Sequence, residues 1–252
     1  MSKRICCTTV GLGIVLASTK VFAAYTVLGT GTLEITAPGF PPDQAGPYQV
    51  EIKSVTSGWG PASGSFQTFC LGTQVDYFPG STYNYQISDT IQPVNGPGIG
   101  ASHDFVTWGT AWLYHEFNLG KIGGGTANNI ANDALQAAIW TLQGQTFSGS
   151  VNLTWSAGSG PGSAQFKTDL HNDLVQVSNA AVSFHTTVGA EADGAFSVYA
   201  MNLYTGSASD PTYFQPQLVI VPETTTLISG ALMLLPLGAG AFRWLRKRSV
   251  SA

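Results

Sequence analysis

Cys70 and Gln136 are the two side chains whose chemistry could combine. A thiolate that reaches a carboxamide carbon can expel ammonia and leave a thioester, provided that the site excludes water. The cysteine count makes the pairing worth considering. Cys6 and Cys7 fall in a leader-like segment, so the exported part would keep Cys70 alone, and a single cysteine cannot close an internal disulfide. An inert buried thiol or an intermolecular disulfide would also account for it.

Two elements must position the pair. Ser65-Phe66-Gln67-Thr68-Phe69-Cys70-Leu71 alternates as a strand does, with Phe66, Thr68 and Cys70 on one side and Gln67, Phe69 and Leu71 on the other. Gln136 lies in a helical run that starts near Asn128, Asn129 and Asn132 and has no Gly or Pro before Gln143. Ile130, Ala134, Leu135, Ala138, Ile139 and Leu142 repeat at helical spacing, which puts Gln136 on the flank of an apolar face, one turn before Trp140. A half-desolvated amide there needs hydrogen-bond partners, or else a chemical use. Phe69 and Trp140 are the aromatic walls expected to shield the bond.

Phe69-Cys70-Leu71 followed by Leu135-Gln136-Ala137-Ala138-Ile139-Trp140 resembles the thioester domains of bacterial surface adhesins, over about residues 65 to 145. That resemblance implies a Cys70–Gln136 thioester that captures a target amine as a permanent amide, in a β body with a helical part. It describes a single-turnover reagent, not an enzyme, with no cofactor. The family often has an acid two places after its cysteine; here Gly72 stands there. His115, on a helix that could border Gln136, is the candidate base.

The ends of the chain read as addresses. Residues 1–23 have a basic start, an apolar core and small residues at Val21-Phe22-Ala23, the layout of a secretory signal peptide. At the other end, Val221-Pro222-Glu223 precedes an apolar span from Leu227 to Phe242 and then Arg243, Arg246, Lys247 and Arg248. This order resembles the PEP-CTERM sorting signal and implies an exosortase-type membrane protease as partner. The expected division is thus signal peptide 1–23, thioester-like domain 24–220 and sorting segment 221–252. The chain would be tethered briefly in the membrane by its last apolar helix, then passed to the cell surface or extracellular matrix.

The domain between them carries only Lys53, Lys121 and Lys167 as basic residues against thirteen acids, so nucleic acid is excluded as a partner on charge. Few lysines also means few internal amines to consume an electrophile. Tyr25 to Thr36, Tyr48 to Val55, Thr82 to Ile87, Ala195 to Tyr204 and Gln217 to Val221 read as strands. Three helices are expected in mid-chain, the first from a Ser102 cap to a Gly120 stop and the third marked by Phe166, Leu170, Leu174 and Val177. The fold class is α+β, a β-sandwich or barrel with a mid-chain helical insertion. His103, His115, His171 and His185 have no zinc spacing, so no metal is expected. Two other functions compete with adhesion: a passive biofilm-matrix protein that binds polysaccharide through exposed Tyr83 and Tyr85, and a cysteine hydrolase.

Overall fold

A computed structural model of the chain describes residues 27–36, 46–59, 64–73, 78, 80–92, 104–123, 129–145 and 163–221. The expected signal peptide, Pro222 and Glu223 of the sorting motif, the apolar span 227–242, the basic tail, Ser102 and His103 lie outside these residues.

Within them the fold is mixed α+β: an antiparallel sheet and three helices. The strands are β1 (Val27–Thr36), β2 (Tyr48–Gly58), β3 (Gly64–Thr68), β4 (Thr82–Ser88), β5 (Val198–Ser207), β6 (Asp210–Tyr213) and β7 (Gln217–Ile220). The helices α1 (Trp108–Asn118), α2 (Asn129–Leu142) and α3 (Ala164–Ser183) fall between β4 and β5. Sheet order is β3-β2-β1-β4-β5-β6, with β7 also paired to β5.

Just past β3 the chain turns to the other end of this order. Cys70 forms an antiparallel bridge with Gln217. Leu71 N–H donates to the Pro216 carbonyl at 2.9 Å, and Leu218 N–H to the Phe69 carbonyl at 3.1 Å. The Thr68 hydroxyl adds a 2.6 Å bond to the Leu218 carbonyl. Two strands that would otherwise expose unpaired edges therefore satisfy each other's backbone groups.

The alternation in β1 explains its place. Leu33 and Ile35 are buried, and the residues between them are half-buried. Gly31 lies where a Cβ would meet the Ser54 carbonyl and the Tyr85 ring, so the absence of a side chain makes room for that tyrosine. Leu33, Ile35, Val50, Ile52, Tyr85, Met201 and Val219 form one apolar cluster with Cys70 and Trp140. The opposite faces of residues 69–71 and of β7 pack on the helices: Phe69, Leu71 and Leu218 meet Leu113, Tyr114, Phe117, Leu135 and Ile139. The helix α2 serves both clusters, Leu135 and Ile139 in one and Trp140 in the other.

Three expectations change. The first helix starts at Trp108, because Thr107 is extended and its hydroxyl caps the Thr110 N–H, while Phe105 bridges to Thr90. The strand over 65–71 ends at Thr68, since the next residues leave β2 for β7. Tyr83 and Tyr85 are buried at 2% and 0% exposure, because the inward positions of β4 carry them into the core, so they offer no face to a sugar. Among the described residues no helix is long and apolar enough to cross a membrane.

Asp133 on α2 and Asp173 on α3 are buried acids. Burial pushes both carboxyls up to about 7, and the charge of Asp169 adds to the effect on Asp173. A carboxyl raised above its unfolded value gives its full stabilisation below that value, and loses it as pH climbs through the folded one. The melting temperature should therefore fall by several degrees, about 5 °C, between roughly pH 5 and pH 8. Asp133→Asn combined with Asp173→Asn should flatten that slope in a thermal melt monitored by circular dichroism.

Candidate functional site

Residues 69–71 run between two packed layers, so both faces of this short stretch are buried. Phe69 and Leu71 point to the helices, and Cys70 points to the sheet cluster, as the alternation of the sequence requires. Phe69 meets Phe117 edge-on with ring centroids 4.9 Å apart, and Tyr114 at 6.5 Å. The Tyr114 hydroxyl donates to the Gln67 carbonyl at 2.7 Å and fixes the strand just upstream.

Four buried glutamines hold the segment. Gln136 Oε1 accepts from Cys70 N–H at 2.8 Å, and its Nε2 donates to the Cys70 carbonyl at 2.8 Å. The Gln145 amide donates to the Leu71 carbonyl at 2.6 Å, and that of Gln215 to the Gly72 carbonyl. Gln217, the first residue of β7, faces the sulfur: its Nε2 lies 3.3 Å and its Oε1 3.7 Å from Cys70 Sγ. With ordinary amide bond lengths, the Gln217 carboxamide carbon stands roughly 3 to 4 Å from Sγ. This holds whichever way the amide is turned.

Gln136 thus comes to Cys70 as expected, but it reaches the main chain of that residue while the thiol faces Gln217. Its environment also differs from the half-desolvated flank read from periodicity: Gln136 is fully buried, because α2 is packed on both the sheet and helix sides. Gly46 completes the seat. A Cβ there would come within 2.8 Å of the Phe69 ring and 3.3 Å of Gln136 Oε1, so glycine lets the approach to β2 lie against both.

Of the proposed shields, Trp140 packs in the cluster of Cys70, and Phe69 stands on the helical side of the same backbone. His115 is placed elsewhere. Its ring lies over Phe196 at 5.2 Å, beside the contacts of Phe196 with Trp108 and Phe184. Val221, the first residue of the sorting motif, donates its N–H to the Ser197 carbonyl at the end of β7.

The sulfur is dry, and burial pushes the Cys70 thiol up to about 12; hydrogen bonds from Gln217 and then from Tyr48 act in the opposite direction. The thiol is therefore protonated at neutral pH and closed to bulky reagents. Among the described residues no group of three or more His, Cys, Asp or Glu side chains is arranged to hold a metal ion.

Gln217, Gln215, Gln145 and Tyr48 escaped the sequence reading. The available sign was Gln215-Pro216-Gln217, two amides at the mouth of the apolar strand Leu218-Val219-Ile220. No protein family, no curated protein and no solved structure matches the chain.

Replacing the Gln136 amide by a chain of similar shape removes both partners of the Cys70 peptide groups. Each buried group left unpaired costs about 1 to 3 kcal/mol. Gln136→Met should therefore lower the unfolding free energy by about 2 to 5 kcal/mol in urea titration.

Proposed function

We propose that this chain is an exported surface or matrix protein whose Cys70 sulfur joins the acyl carbon of Gln217 in an internal thioester. The bond would capture an amine, or a hydroxyl, on a target surface. The observation that carries this reading is the approach of the Gln217 carboxamide to Sγ, at 3.3 Å for Nε2 and 3.7 Å for Oε1. The carboxamide carbon, roughly 3 to 4 Å from Sγ by ordinary bond lengths, is close to the about 3 to 3.5 Å of a near-attack arrangement. The resemblance at residues 69–71 and 135–140 implies thioester chemistry at Cys70, but with Gln136 and not Gln217 as the acyl partner. Its expected partner, Gln136, has both polar ends engaged by the peptide groups of Cys70, which suits a clamp better than an electrophile.

Bond formation joins the thiol sulfur to the Gln217 carbonyl carbon and releases ammonia, the thiol proton leaving on the nitrogen. Capture reverses the pattern: a target amine adds to the carbonyl, sulfur departs, and a proton from the amine ends on the thiol. Burial among Trp140, Tyr48 and the sheet side chains keeps water from the bond. Two of the three lysines of this region are engaged in ion pairs, Lys53 with Glu34 and Glu51, and Lys121 with Glu116.

The barrel form of the β body belongs to the same proposal, supported by the Cys70–Gln217 bridge between β3's end and β7. So do the signal peptide and the PEP-CTERM-like tail, which rest on sequence order alone and would deliver the domain to the surface through an exosortase-type protease.

A passive matrix protein is the second reading, and the dry, protonated thiol at about 12 favours it. Intact mass separates the two. The exported chain should be one ammonia lighter than its sequence and should gain one methylamine on exposure to that amine. Peptide mapping should then find N-methylglutamine at Gln217. The same label at Gln136 would restore the pairing read from the sequence, and an unmodified mass with a titratable thiol would establish the passive protein.

A further inference from the structure

The sulfur has a third neighbour with chemistry of its own. Tyr48 opens β2 and stands directly opposite Thr68 in the β2/β3 ladder. Cys70 is two residues beyond Thr68, so Tyr48 and Cys70 are diagonal neighbours on one face, within reach of a long aromatic side chain. Both belong to the same buried cluster, and Tyr48 is, after Gln217, a hydrogen-bonding influence that lowers the Cys70 thiol against the effect of burial. Tyr48 is 6% exposed, against 1% for Cys70 and 0% for Gln217, so it is the nearest of the three to solvent.

Resting on the thioester reading above, we propose that Tyr48 is a catalytic residue: its hydroxyl donates a hydrogen bond to the Cys70 sulfur and stabilises the negative charge that develops on sulfur when the acyl–sulfur bond is made or broken. In the forward direction the hydroxyl stabilises sulfur as it gives up its proton and attacks the Gln217 carbonyl carbon. In the reverse direction an amine adds to that carbon and the electron pair of the breaking C–S bond goes to sulfur. The Tyr48 O–H then meets the departing thiolate, and the proton released by the new amide nitrogen restores the neutral thiol. No outside oxidant or metal enters this balance. A hydrogen bond to the charged form of a buried group strengthens where water is absent, and the Gln217 amide, which also donates to the sulfur, is consumed by the reaction itself.

The test is Tyr48→Phe in the full chain, which keeps the ring and removes the hydroxyl. Methylamine uptake followed by intact mass should slow by about 100-fold, the scale on which a single preorganised donor acts. Circular dichroism should be unchanged, and the thioester, given time, should still form. An uptake rate within about twofold of the unaltered chain overturns the assignment while leaving the thioester intact. If the unaltered chain neither loses ammonia nor takes up methylamine, both readings fall together. Should the Phe variant fold poorly, fluorotyrosines at position 48 preserve the ring and make the hydroxyl a stronger donor. Uptake should then rise with the acidity of the substituted phenol, and a flat response refutes a role for the hydroxyl.

Discussion

The reciprocal pair of hydrogen bonds between the Gln136 amide and the Cys70 peptide groups is the constraint on which the site depends. The chain beyond Thr68 has left the ladder with β2 and has only begun to meet β7. Its peptide groups at Cys70 are enclosed and need partners. A side-chain amide offers one donor and one acceptor in the geometry of a neighbouring strand. Gln136 thus stands in for a strand, from a helix, and the 2.8 Å bonds at each end fix where Cys70 lies between the layers.

From that point the other features follow. With the backbone of 70 pinned, Phe69 must enter the helical layer and the thiol must enter the sheet layer. Gln145 and Gln215 extend the same arrangement to the carbonyls of Leu71 and Gly72. Glutamine suits these places because it satisfies polar backbone without bringing charge into the interior. The resulting environment is dry and uncharged around the sulfur, which raises the thiol while the Gln217 and Tyr48 donors lean against that shift.

The local part of this was legible in the sequence. The alternation through Phe69, Cys70 and Leu71 reports the two faces correctly, and the spacing of Leu135 and Ile139 reports a helix with an apolar face. The position of Gln136 near Cys70 could be read from a resemblance of motifs. What the sequence did not expose is pairing across long separations. Gln217 meets Cys70 from 147 positions away, through the antiparallel bridge between Cys70, just past β3, and the first residue of β7. Tyr48 stands on the face of the sulfur because β2 and β3 adopt one register, and a slip of one residue would turn it to the other face. Tyr83 and Tyr85 misled for a related reason: polar–aromatic alternation marks a strand with two unlike faces, but not which face is covered.

Gln217 opens β7, and β7 ends at Ile220, immediately before Val221 and the segment read as the sorting tail. Within the described residues, a target joined at Gln217 under the proposed capture and a tail held at the envelope would load only this short, extended length of backbone. Tension between the two would bypass the helices and most of the sheet. The described part of the path would then yield little length, and the last strand would bear the strain in place of the helices.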